Sequence, residues 1–203
     1  DNIELSLEKT TKLPDTQVFA YAKEELTKLK KEGKPFAFTL MTLDTHYGTY
    51  RFADDVCERK FGPHNNIENV VSCSDKQIYD FVEWLKVQDF YDNTVVVIIG
   101  DHLTMNQRFT KDMNRKLVNV FMNTPVAAIN TKDRTFTPFD IYPTIVESSG
   151  AKIEGHRLGL GTSLFSDIPT LTEGKFKVEE LDIEVRKKSK IYDWLLYGKN
   201  VRK

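Results

Sequence analysis

Two segments of the sequence place an acidic residue and a histidine directly after an apolar run. The run TVVVII is followed, after one glycine, by Asp101 and His102, and the run PFAFTLMTL is followed by Asp44 and, two residues later, His46. A carboxylate oxygen and an imidazole nitrogen can bind the same divalent cation, and zinc and manganese both accept this mixture of ligands. We call each of these Asp–His pairs an Asp–His tip. The tip after TVVVII therefore predicts a metal site with Asp101 and His102 as ligands.

A structural role is the simpler alternative for both tips. An aspartate that follows a strand is often a turn former, and a neighbouring histidine is often only hydrogen-bonded. Two ligands are also fewer than the three that a catalytic metal usually takes from the protein. The repetition of an Asp–His tip on a second apolar run favours the metal interpretation but does not complete the site.

The elements that must position these tips alternate between helices and apolar strands. The predicted elements are helix 15–31, which Asp15 can cap; strand 35–43; a polar, aperiodic stretch 47–72; a helix with a capping box at Ser74 and Gln77; strands 94–99, 117–123 and 126–130; helix 137–150; and a helical tail at 178–197. This order predicts an α/β fold with a mixed, mostly parallel sheet flanked by helices. Ligand sites in such sheets lie beyond the carboxyl ends of the strands, where both tips fall.

Composition excludes some classes of function. The 203 residues include 29 lysines and arginines and 30 aspartates and glutamates, so the net charge of −1 gives no basic excess for binding nucleic acid. No apolar run reaches the roughly 20 residues that a membrane-spanning helix needs. Cys57 and Cys73 lack the spacing of a CxxC metal site, and their spacing alone leaves open two free thiols or one disulfide.

Five segments in chain order resemble one enzyme superfamily. They read FAFTLMTLDTHYGTY, VCERKFGPHNNIENVVSCSDKQIYDFVEWL, YDNTVVVIIGDHLTM, FDIYPTIVESSG and GHRLGLGTSLF. Together they resemble the alkaline phosphatase and sulfatase superfamily, and most closely its membrane-anchored phosphoglycerol transferases and lipoteichoic acid synthases. The resemblance implies an alkaline phosphatase/sulfatase-like fold.

The resemblance also implies a role for individual residues. Asp101 and His102 would be ligands of a divalent metal, with Mn²⁺ expected, and His46 would bind the phosphoglycerol head group. Cys57 would pair with Cys73. The two remaining histidines, His64 and His156, are expected to be surface or structural residues.

The sequence departs from the family in one respect. The threonine nucleophile of these enzymes follows an earlier strand, and no Thr or Ser in residues 1–16 follows an apolar strand. We therefore expect no catalytic nucleophile in this chain. Residues 1–203 are predicted to form the C-terminal portion of a sulfatase-like catalytic domain, with a helical tail at 170–203. The nucleophile, another metal ligand and the membrane helices would lie upstream.

The function implied is metal-dependent transfer of phosphoglycerol from phosphatidylglycerol to a glycan or polymer of the cell envelope, on the extracytoplasmic face of the bacterial membrane. The fragment alone would be inactive. The alternatives are a sulfatase, a phosphodiesterase, a phosphoethanolamine transferase or a non-catalytic glycan-binding domain. The residue type of the upstream nucleophile would discriminate among the enzymes, and a measurement of metal content would separate the enzymes from a binding domain.

Overall fold

The structure, a computed structural model, describes residues 13–48, 50–64, 66–104, 116–130 and 132–198. The chain divides into two compact units, the first within Asp1–Asn93 and Ile99–Asn119 and the second within Thr94–Ile98 and Val120–Lys203. None of the helices in the described part of the chain is both long and apolar enough to cross a bilayer.

The first unit is built on the helices α1 (Asp15–Glu32) and α2 (Ile67–Lys86). The apolar stripe of α1 is buried, and Phe19 within it packs against Phe81 of α2 with ring centroids 5.1 Å apart. Helix α1 ends at Gly33, whose φ of 66° is a conformation that favours glycine. The predicted helix over 15–31 is therefore confirmed to within one residue.

Helix α2 begins earlier than the sequence predicted. Asn66 caps it by accepting a hydrogen bond from the backbone N–H of Asn69 at 2.9 Å. Ser74 and Gln77, which were predicted as a capping box, instead lie inside the helix and are buried. The reason is that the buried face extends back to Val70, so tertiary packing prolongs the helix past the local capping signal.

The segment 35–43 forms no strand, so the predicted buried strand is wrong here. Its backbone has no regular structure, and Phe38 and Met41 are exposed. A strand needs a partner to satisfy its backbone groups, and no described residues pair with this segment.

A small sheet carries the Asp101–His102 tip. It consists of β1 (Val96–Ile99) and β2 (Asn119–Met122). Directly after β1, the backbone N–H of Gly100 donates a hydrogen bond to the carbonyl of Val118 at 3.0 Å. The predicted strands 94–99 and 117–123 are confirmed with shorter bounds, whereas 126–130 is not a strand. The described residues thus combine helices with small sheets, and the large, mostly parallel sheet is not found among them.

The second unit fastens a hairpin to helix α3 (Pro138–Ser148). The hairpin pairs β3 (Arg157–Leu158) antiparallel with β4 (Gly161–Thr162), after a 3₁₀ turn at Glu154–His156. Buried Asp140 accepts hydrogen bonds from the backbone N–H groups of Thr137 and Thr162, each at 2.7 Å. The predicted start of this helix, with Thr137 before Pro138, is confirmed.

The tail contains three short helices rather than the one predicted. They are α4 (Leu171–Gly174), α5 (Val178–Val185) and α6 (Lys190–Tyr197). The continuous helix expected over 178–197 is interrupted after Val185, and a new helix starts at Lys190, where the Ser189 hydroxyl accepts from the N–H of Tyr192 at 3.2 Å and caps α6. Glu173 of α4 forms a two-point ion pair with Arg134.

Candidate active site

Asp101 and His102 lie together at the carboxyl end of β1. The side chains of Asp101 and His102 are 86% and 56% exposed, and the carboxylate Oδ2 of Asp101 is 3.5 Å from Nε2 of His102. The other oxygen, Oδ1, accepts a hydrogen bond from the backbone N–H of His102 at 2.9 Å, which fixes the carboxylate against its own turn. Two potential ligand atoms therefore point to the same space.

The ring of His102 is held in one orientation by a neighbouring carbonyl. Its Nδ1 lies 2.8 Å from the carbonyl oxygen of Leu103. A carbonyl oxygen can only accept, so Nδ1 carries the proton in the neutral ring and Nε2 keeps its lone pair. A histidine that binds a metal through one ring nitrogen is usually held in this way, with the N–H of its other ring nitrogen donating to an oxygen acceptor.

The geometry of the pair fits a single divalent cation. One cation could contact both atoms, because their separation of 3.5 Å is shorter than two ligand bonds of about 2.1 Å each. The mixture of carboxylate oxygen and imidazole nitrogen suits Mn²⁺ or Zn²⁺. No group of three or more His, Cys, Asp or Glu that could hold a metal occurs among the described residues. The ligand role of the two residues thus stays a prediction, and further ligands are needed.

His46 lies on a separate turn of the same compact unit. Its backbone N–H donates to the carbonyl of Leu43 at 3.0 Å, and its side chain is exposed. The turn is attached to the start of α1, because the carboxylate of Asp15 accepts from the N–H groups of Leu43 at 2.7 Å and Asp44 at 3.2 Å. The head-group role of His46 stays a prediction.

Asp15 and Asp44 form a reciprocal pair, which we call the aspartate clamp. The carboxylate of Asp44 accepts in return from the N–H of Asp15 at 3.1 Å, and both residues are almost completely buried. Burial raises the pKa of each carboxyl, and the negative charge of Asp15 raises the pKa of Asp44 further. Asp44 is therefore a structural partner of Asp15, unlike Asp101, whose carboxylate is open to solvent.

The loop that follows His46 is fastened to α2 by a disulfide. Cys57 is bonded to Cys73, which is the pairing that the family resemblance implied. Cys73 is buried on the face of α2 that also carries Asn69, one helical turn earlier. The disulfide therefore ties a segment without helices or strands to the helical core of the first unit.

Asn69 is a second fastening point that the sequence did not reveal. Its side-chain oxygen accepts from the backbone N–H groups of Lys60 and Phe61, and its amide donates to the carbonyls of Gly62 and His64. These four bonds are between 2.9 and 3.0 Å, and the residue is fully buried. One side chain thus replaces the regular secondary structure that this loop lacks.

The other two histidines lie outside this site. The side chain of His64 is exposed, and only its carbonyl is used, by Asn69. The Nδ1 of His156 lies 2.8 Å from a carboxylate oxygen of Glu147, which fastens the β3–β4 hairpin to α3. These positions agree with the surface and structural roles expected for them.

Comparison with known proteins places this arrangement in a family. A model of the Sulfatase family matches residues 3–151 of the chain. The chain belongs to the Sulfatase family. The match includes both Asp–His tips, the aspartate clamp and the disulfide, and it ends before the β3–β4 hairpin. A family of this type implies an alkaline phosphatase-like α/β fold.

The sequence is similar to curated proteins named phosphoglycerol transferase I. Over 106 residues, half of this chain, the sequence is 32% identical to phosphoglycerol transferase I of Citrobacter koseri and 32% identical to that of Escherichia fergusonii. The enzyme of the same name from Salmonella paratyphi B is 31% identical over the same length. The aligned residues make up 14% of each relative, so the chain spans only a small part of their length. No solved structure matches the chain at a significant level.

Proposed function

We propose that this chain is part of an enzyme that transfers phosphoglycerol from phosphatidylglycerol to a glycan or polymer of the cell envelope. The similarity to phosphoglycerol transferase I supports the reaction class. The observation that carries the proposal is the Asp101–His102 tip, with two exposed ligand atoms 3.5 Å apart and the imidazole oriented by the Leu103 carbonyl.

In this proposal Asp101 and His102 would hold a divalent cation, with Mn²⁺ expected, and the cation would need further ligands from elsewhere in the enzyme. A bound divalent cation neutralises charge on phosphoryl oxygens and lowers the pKa of a hydroxyl nucleophile. His46 hydrogen-bonds the phosphoglycerol head group and can donate a proton to the departing oxygen. No residue of this chain is proposed as the nucleophile.

The disulfide supports an extracytoplasmic location. Disulfides form and persist in oxidising compartments and are rare in the reducing cytoplasm. The Cys57–Cys73 bond closes the loop next to the His46 turn, so reduction would loosen the proposed substrate site. The phosphatidylglycerol substrate places the reaction at a membrane surface, with the anchor proposed to lie upstream.

The test uses a protein that contains this chain together with the residues encoded upstream. The measurement is the release of diacylglycerol from phosphatidylglycerol vesicles in the presence of Mn²⁺ and a soluble glucan. We expect His102→Ala to lower the rate by more than about a hundredfold and His46→Ala by roughly a hundredfold. His64→Ala is the matched control, because the His64 side chain is exposed outside the site, and it should leave the rate unchanged.

Two results would contradict the proposal. A protein that is fully active as His102→Ala in metal-free buffer does not use this tip to hold a catalytic cation. Efficient hydrolysis of a phosphoglycerol ester by residues 1–203 alone would show that the nucleophile lies within this chain. We expect that 203-residue chain to bind Mn²⁺ weakly and to turn over nothing.

A further inference from the structure

Helix α6 exposes an unusual amount of apolar surface for its length. It has eight residues, and six of them are large apolar or aromatic side chains that are all more than half exposed. They are Ile191, Tyr192, Trp194, Leu195, Leu196 and Tyr197. Soluble proteins rarely leave contiguous apolar patches open, and such patches mark interaction sites.

Four of the six apolar residues share one side of α6. Successive helical residues are rotated by about 100°, which places Ile191 and Leu195 next to Tyr192 and Leu196 in a continuous stripe. Trp194 borders this stripe. Lys190, Asp193 and Tyr197 occupy the remaining side. The helix is thus amphipathic, with aromatic rings near its polar boundary, where an amphipathic ring can lie at a membrane–water interface.

The sequence from Arg186 onward, which contains α6, is rich in basic residues. Between Arg186 and Lys203 the sequence contains seven lysines and arginines and one acidic residue, although the whole chain has a net charge of −1. Arg186 and Lys187 form ion pairs with acids of α5, whereas Lys188 and Lys190 lie directly before the apolar stripe. The chain therefore concentrates positive charge on the segment that carries its exposed apolar helix.

These features fit one partner better than the others. We infer that α6 is an interfacial helix that binds the surface of an anionic phospholipid bilayer. Apolar side chains would enter the headgroup boundary, while each basic residue near an anionic surface adds about 1 kcal/mol of attraction. A second copy of the chain is disfavoured, because packing α6 against itself would bring two strongly basic segments together. The inference does not rest on the proposed reaction, and α6 lies beyond the residues that match the Sulfatase family.

The experiment uses the 203-residue chain with Trp84→Phe, which leaves Trp194 as the only tryptophan. We expect co-sedimentation and a blue shift of Trp194 emission with vesicles of phosphatidylglycerol and phosphatidylcholine, both of which weaken at high salt. Phosphatidylcholine vesicles alone should give much weaker binding. Leu195→Asp should weaken binding to anionic vesicles by about tenfold or more, because a buried leucine contributes roughly 1.5–3 kcal/mol.

Ile183→Asp is the matched control. Ile183 is an exposed isoleucine of α5 outside the stripe, so its replacement should leave vesicle binding unchanged. The inference is overturned if anionic vesicles cause neither co-sedimentation nor a spectral shift, or if Leu195→Asp binds as well as the parent. Self-association without lipid that Leu195→Asp abolishes would also overturn it and assign the stripe to a second copy. Loss of transferase activity with intact vesicle binding would affect only the proposed function.

Discussion

The aspartate clamp makes a quantitative prediction about the turn that carries His46. In Asp15→Ala, the N–H groups of Leu43 and Asp44 lose the carboxylate that accepts from them at 2.7 and 3.2 Å. Hydrogen bonds to a charged group contribute about 1.5–3 kcal/mol each, which gives a gross loss of roughly 3–6 kcal/mol. Removing a buried carboxylate whose pKa is raised by burial offsets part of this loss. We therefore expect Asp15→Ala to lower the free energy of unfolding by roughly 2–4 kcal/mol.

Asp44→Asn is the matched comparison within the same pair. The amide oxygen of asparagine can still accept from the N–H of Asp15, as Oδ2 of Asp44 does at 3.1 Å. The other oxygen of Asp44 is buried and accepts no hydrogen bond from the described residues, so its replacement by an amide group breaks no bond. The substitution also removes the repulsion between the two carboxylates. We expect the stability of Asp44→Asn to remain within about 1 kcal/mol of the parent.

The pH dependence has a defined sign. Because the pKa of Asp44 is raised in the folded state, folding favours its protonated form. The stabilisation that protonated Asp44 contributes is fully present below the pKa of Asp44 in the unfolded chain, and it is lost as the pH rises through the pKa of Asp44 in the folded protein. Asp44→Asn should therefore gain less stability than the parent when the pH is lowered from neutral toward that of an unfolded aspartate.

The assay is urea denaturation at neutral pH, followed by the fluorescence of Trp84 in a Trp194→Phe background so that only the first unit is reported. Amide hydrogen exchange at Leu43 and Asp44 gives the local readout, and both amides should exchange faster in Asp15→Ala only. Equal destabilisation by Asp15→Ala and Asp44→Asn, or a loss below about 1 kcal/mol in Asp15→Ala, would refute the assignment of Asp15 as the residue that holds the turn.

Three further predictions concern contacts within one or the other unit. Replacing both Cys57 and Cys73 by serine should lower the stability of the first unit by roughly 3 kcal/mol, seen as a lower urea midpoint, because a closed loop of this length restricts the unfolded chain; an unchanged midpoint would contradict this. Asn69→Ala should accelerate amide exchange at residues 60–61, whose N–H groups lose their acceptor, and unaltered exchange there would argue against its role. The ion pair with Arg134 lowers the pKa of Glu173 to about 2, so its stabilisation should be present above pH 4.5 and be lost as the pH falls toward 2. After a discount for solvent screening, the ion pair stabilises the protein by on the order of 1–2 kcal/mol. Glu173→Gln should not show this loss of stability in acid, which can be measured by denaturation at a series of pH values, followed by the fluorescence of Trp194.

Local signals in the sequence predicted the elements whose stability is decided locally. The periodic stripe of α1 and the Thr137–Pro138 start of α3 specify those helices through residues three or four positions apart. The apolar run before Asp101 likewise predicted β1. These features need no information from distant parts of the chain, and the structure agrees with the sequence at each of them.

Features that depend on distant residues could not be predicted in the same way. Asp15 was expected only to cap a helix, but its carboxylate holds backbone groups 28 and 29 residues away. Asn69 satisfies the backbone of a loop that precedes it, a role that no local pattern encodes. The start of α2 was placed too late because a good capping signal at Ser74 lies inside a helix that packing extends to Ile67.

The two Asp–His tips show why identical residue types do not imply identical roles. The carboxylate of Asp44 is enclosed and engaged with the backbone of α1, so it holds a turn and leaves only His46 facing outward. Asp101 and His102 instead keep one oxygen and one nitrogen 3.5 Å apart and open to solvent. Burial therefore separates the two tips, because Asp44 is a structural residue whereas Asp101 stays accessible, as the proposed cation site requires. This difference follows from side-chain environment, which sequence alone specifies only through contacts between residues that are far apart in the chain.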